Sequence, residues 1–154
     1  MPWIKVWIHF VWSTKDHEPY LTEEIRQTVF QHIRENAKLK GIYIDYINGY
    51  VDHVHCLISL GADQTIEKVM QLIKGESSFW INKNNLTRFK FAWQDEYFAA
   101  SVSPSGIRRF ESILLIRNSI IAKRVLGKSS KGLWFEPDSK GLVVCRIRLK
   151  PIGN

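Results

Sequence analysis

Apolar and polar positions alternate at the start of the chain. Ile4, Val6, Ile8, Phe10 and Trp12 fall on one side, and Trp3, Lys5, Trp7, His9 and Val11 on the other. Period two in aromatic and β-branched residues predicts a strand over 3–13. A loop with Pro19 follows. From Thr22 the period lengthens: Ile25, Val29, Ile33 and Ala37 recur every fourth residue. That predicts a helix with Thr22 at its cap, Glu23 and Glu24 in its first turn, and Lys38, Lys40 and Gly41 at its close. Residues 42–51 and 53–60 read as two further strands, with Asn48-Gly49 as a turn signal for an antiparallel hairpin. A second helix starts at Asp63 or Thr65, with Ile66, Val69, Met70, Ile73, Ser77 and Trp80 as its buried stripe. Residues 91–103 supply one or two short strands.

The order is β-α-β-β-α-β. It predicts an α+β, ferredoxin-like fold: one antiparallel sheet with both helices on one face. The pattern weakens after Ser103-Pro104-Ser105-Gly106. Residues 107–126 could be helical but lack a polar face, and 127–154 show no clear amphipathic helix. We therefore divide the chain into a core, 1–105, and an atypical segment, 106–154.

Composition changes this picture in one place. Residues 1–104 hold 11 Lys and Arg against 12 Asp and Glu, whereas residues 105–154 hold 11 against 3. The whole excess of the net charge of +7 thus lies in the last third. A basic chain favours an anionic partner such as nucleic acid. No apolar run approaches the ~20 residues of a membrane span, and the apolar N-terminus alternates as a strand does, not as a signal peptide. Cys56 and Cys145 form no CxxC motif, which suggests a reducing cytoplasm.

The candidate chemistry lies in Val51-Asp52-His53-Val54-His55-Cys56-Leu57-Ile58. Alternation sends His53, His55, Leu57 and Ser59 to one face, and Val54, Cys56 and Ile58 to the other. If the second set meets the helices, two imidazoles about 6–7 Å apart along the strand look out from the open face and can converge on a divalent cation. On spacing alone the metal signal is weak, and two surface or core histidines with ordinary partners are the better account.

Context adds to the pair. His53-Val54-His55 resembles the histidine–hydrophobe–histidine (HUH) motif of single-strand DNA nickases. HFVWSTKDHEPYL (9–21), NGYVDHVHCLISL (48–60), IKGESSFWIN (73–82) and FAWQDEYFAASVSPS (91–105) resemble, in order and spacing, the single-tyrosine HUH transposases of small bacterial insertion sequences and their repeat-associated relatives. The resemblance implies that His53 and His55 hold Mg or Mn on the scissile phosphate of single-stranded DNA hairpin ends. It implies that a helix tyrosine attacks phosphorus to form a 5′-phosphotyrosine link, and that a glutamine one turn later completes the metal site. It also implies a homodimer, with no membrane and no small-molecule cofactor. His9, Lys15, Lys74 and Lys83 are candidate DNA contacts.

The nucleophile is missing. At the family interval after Ser105 stands Ile113, and the glutamine position is Arg117. Isoleucine offers no nucleophile, and arginine has no lone pair for a cation. This chain is therefore expected not to cleave DNA. Codons read one base out of step across Ser112/Ile113 admit tyrosine. The same offset admits asparagine at Leu115/Ile116, glutamine at Ile116/Arg117 and a histidine pair across Ser119, Ile120 and Ile121. A frameshift near residues 106–112 would account for the lost periodicity and the jump in charge. Two other readings stand beside this one. One is a single-strand DNA or RNA-hairpin binding module without catalysis. The other is an unrelated hydrolase whose metal sits on His53 and His55, with Asp52 or Asp95 as base or third ligand.

Overall fold

A computed structural model describes residues 3–107, 133–137 and 143–147. The chain divides into two compact units, Met1–Pro104 and Ser105–Asn154. In the first, the elements run β1 (Trp7–Ser13), α1 (Glu23–Leu39), β2 (Tyr43–Gly49), β3 (His53–Ser59), α2 (Ile66–Lys83) and β4 (Phe98–Val102). The four strands form one antiparallel sheet in the order β2-β3-β1-β4. This is the expected α+β split arrangement, and it makes β1 and β3 the two central strands. In the second unit, β5 (Leu133–Pro137) and β6 (Val143–Ile147) pair as an antiparallel ribbon.

One face of the sheet joins the helices in a common core. Ile8, Phe10 and Trp12 from β1 and Val54, Cys56 and Ile58 from β3 cluster with Val29, Phe30, Ile33 and Ala37 of α1 and Val69, Met70, Ile73 and Ile81 of α2. The alternation in the sequence thus sets which side chains of β1 and β3 meet the helices. Each fully buried large side chain here, Phe10 for example, contributes roughly 1.5–3 kcal/mol. Cys56 lies in this core, and burial pushes its thiol far above the usual range, so it stays protonated.

The ends of elements depart from the sequence pattern for identifiable reasons. β1 starts at Trp7, not Trp3. Its neighbours end at Ser59 and Val102, which both face Trp7, and the pairing continues past them only as far as Leu60 N–H donating to Val6 O at 2.7 Å among the described residues. Asn48-Gly49 is not the hairpin loop but the end of β2, and the turn is Tyr50-Val51-Asp52, closed by Tyr50 N–H donating to His53 O at 2.9 Å. Gly49 serves close approach instead: a Cβ there would lie 2.2 Å from His53 O. In α2, Thr65 is the cap, its hydroxyl accepting from Lys68 N at 3.2 Å. Ile66 and Trp80 lie toward the edge of the buried stripe, and Ile81 fills the core in their place. Trp80 stacks flat on His32 of α1, with centroids 3.9 Å apart, and His32 is bonded to Glu76 at 2.8 Å. Residues 104–107 form a helical turn. The rest of the segment 107–126, with Ile113 and Arg117, lies outside the described residues. No helix among the described residues is long and apolar enough to cross a membrane.

Candidate histidine site

The histidines follow from register. His53 pairs with Ser13 and His55 with Val11, so both point away from the helix core, as alternation requires. On the same face of β1, His9 pairs with Leu57 and is thereby a diagonal neighbour of His55. The three rings form a row. His53 and His55 have centroids 5.1 Å apart at 83°, and His55 and His9 stack at 5.3 Å and 14°. This face is not open: His53 is 1% and His9 4% exposed, and His55 is half-buried.

Each ring has a specific partner. His53 Nδ1 lies 2.7 Å from Asp52 Oδ1, while His53 Nε2 is buried with no hydrogen-bond partner among the described residues. A buried imidazole nitrogen left bare is unusual. His55 Nδ1 lies 3.1 Å from His9 Nε2. Burial lowers the His9 pKa to about 3 and holds His55 well below the ordinary histidine value, with the neighbouring His9 and His53 adding to the effect on His55. Both rings are therefore neutral at pH 7 and each keeps one lone pair. Burial works against ionisation of Asp52, but the His53 hydrogen bond and the nearby His53 and His17 outweigh it and hold this carboxyl below its usual pKa.

The frame under Asp52 is built by the end of β1. Thr14 is fully buried; its N–H donates to Asp52 O at 2.8 Å, and its hydroxyl lies 2.6 Å from Glu18 O and 3.2 Å from Asp52 O. The 3₁₀ turn Lys15–His17 follows, with Asp16 and His17 both at φ 56°. Left-handed backbone at two consecutive non-glycine residues is uncommon, and it brings His17 Nδ1 to 3.8 Å from Asp52 Oδ2.

Among the described residues no group of three or more His, Cys, Asp or Glu side chains is set to hold a metal ion. His53 and His55 by themselves offer a cation at most two imidazole nitrogens. A bare, buried Nε2 on a ring oriented by a carboxylate suits a cation, and the residues present fit that much of a site.

The model of the IS200-like transposase family matches residues 3–112. This chain belongs to that family. No curated protein sequence gives a match. Among solved structures, a protein from Deinococcus radiodurans R1 assigned as a transposase superposes with a TM-score of 0.60 at 18% identity, covering 75% of this chain and 93% of that one. A REP-associated tyrosine transposase bound to a REP hairpin gives a TM-score of 0.57 at 14% identity, covering 85% of this chain and 74% of that one. At these identities the likeness is one of fold, and it agrees with the split β-α-β-β-α-β architecture of this transposase-family chain.

The remaining candidates fall in different places. Lys15 is exposed in the 3₁₀ turn, and Lys83 is exposed at the end of α2, over the ring of Phe79 at 5.9 Å. Lys74 is half-buried and donates to the carbonyls of Gln94 at 2.6 Å and Asp95 at 2.8 Å. Burial lowers its pKa, and the Asp95 charge offsets this only in part. His9 is bonded into the histidine row. The roles of Thr14, His17 and the His9–His55 contact escaped sequence reasoning. The alternation of β1 does place His9 on the face opposite Ile8 and Phe10, but only the β1–β3 register brings it to His55.

Proposed function

We propose that the chain is a single-tyrosine HUH transposase domain that keeps the metal-binding half of its site and has lost the strand-cleaving half. In this reading His53 and His55 bind Mg or Mn, and the partner is single-stranded DNA folded into a hairpin. The observation that carries it is the His53 ring, fixed by Asp52 at Nδ1 and bare at a buried Nε2 beside His55. A bound ion would act as a Lewis acid on a phosphate oxygen. The protein's own contribution would be to orient two neutral imidazoles toward that ion, while the exposed ammonium groups of Lys15 and Lys83 attract the DNA backbone. His9 and Lys74, also named as DNA contacts, already have protein partners, so a part in supporting the site or the β4 approach suits them better. Family membership and the REP-hairpin complex of one structural neighbour favour DNA as the ligand.

Cleavage would need a hydroxyl where Ile113 stands and a neutral ligand where Arg117 stands. The core 1–105 would then bind without cutting, and homodimer formation would follow the family. The reading of an unrelated hydrolase loses ground, because Asp52 is spent on orienting His53. The test is a hairpin-bearing single strand incubated with the protein and Mn. The expected result is a shifted complex in a native gel with no nicked product and no covalent protein–DNA adduct. A nick would overturn the loss of cleavage. Absence of binding by folded protein would overturn the nucleic-acid reading itself.

A further inference from the structure

HUH spacing decides which face the two imidazoles occupy. It does not decide which nitrogen of each ring is available. A neutral imidazole carries one N–H and one lone pair, and the partner of one nitrogen fixes the state of the other. The geometry points to Asp52 and His9 as positioning residues: each occupies the Nδ1 of one site histidine, leaving both Nε2 lone pairs for the same ion. This rests on the reading of His53 and His55 as metal ligands.

An ionised carboxylate only accepts, so Asp52 Oδ1 at 2.7 Å requires the proton on His53 Nδ1. In the neutral ring Nε2 then holds the lone pair, and it is the atom found buried and unpaired. The backbone that carries Asp52 is fixed. Thr14 ties its backbone carbonyl at 2.8 Å, and Leu21 N–H ties the preceding Val51 carbonyl at 2.8 Å. For His55 the contact with His9 Nε2 at 3.1 Å permits two proton arrangements. Only the one in which His55 Nδ1–H donates to His9 leaves His55 Nε2 able to bind a cation. The device joins two adjacent strands and the turn before β3, and it explains why β1 carries a buried histidine opposite an apolar core face.

Two measurements test it. In ¹⁵N-histidine-labelled, metal-free wild-type protein, long-range ¹H–¹⁵N correlation should show the ring proton on Nδ1 of both His53 and His55. A proton on Nε2 of either ring overturns the inference and needs no variant. Calorimetric titration with Mn should then show Asp52→Ala and His9→Phe each binding about 10–100-fold more weakly than wild type. Asp52→Asn, which keeps an acceptor oxygen, should lose less than Asp52→Ala. Equal Mn affinity, within twofold, in wild type and a cooperatively melting Asp52→Ala overturns the positioning role while the metal reading stands. No Mn binding by wild type overturns the metal reading and this inference together.

Discussion

His9 shows how a single buried ring ties stability to pH. Unfolded, it takes a proton near pH 6.5; folded, burial delays this to about pH 3. Between those values the unfolded chain binds more protons, so stability rises with pH. The stabilisation is whole above pH 6.5 and is lost as pH falls toward 3, and His55 acts with the same sign. Urea titrations at pH 7.5 and 5.5 should show a clear loss at the lower pH, at most about 1.4 kcal/mol per pH unit for each such ring. His9→Gln should flatten that slope. Gly49 is a second position where one atom decides. A methyl group placed 2.2 Å from the His53 carbonyl must push β2 off β3. Gly49→Ala should cost about 1–3 kcal/mol in chemical denaturation and should weaken Mn binding, because the displaced backbone is that of His53.

At the scale of elements, the link between α2 and the segment leading into β4 depends on Ser77. Its hydroxyl donates to Ile73 O at 2.6 Å and accepts from Trp93 Nε1 at 2.9 Å, both in the buried interior. Ser77→Ala should leave the indole N–H unpaired and lower stability by about 1–3 kcal/mol, read as a drop in the denaturation midpoint. The stripes that built these elements were plain in the sequence. Val29, Ile33 and Ala37 of α1 and Val69, Met70, Ile73 and Ser77 of α2 are all buried where their spacing put them. What spacing could not show was where elements stop. β1 starts where its neighbours end, and Asn48-Gly49 stays in the ladder because a tertiary close approach claims the glycine. Those are facts about neighbouring strands, which a local pattern does not contain. The histidine pair was legible as a face, since alternation alone sets it. The third histidine and the orienting carboxylate needed the register and the turn.

At the scale of the molecule, the match to the IS200-like family ends at residue 112, close to where the charge balance changes sign. Sequencing the gene across residues 105–125 should reveal, one base out of step, codons for tyrosine and glutamine at the family positions. If neither codon is there, ordinary divergence replaces the frameshift account. Sheet and helices hold together through one core, and Cys56, flanked by His55 and Leu57, has its thiol inside it, buried and protonated. In a Cys145→Ser background that thiol becomes a stopwatch. A maleimide can reach it only when β3 parts from the helices, so the rate of labelling counts the openings of the strand that carries the histidines. A ligand held by that strand in the closed state should slow the clock in proportion to its occupancy.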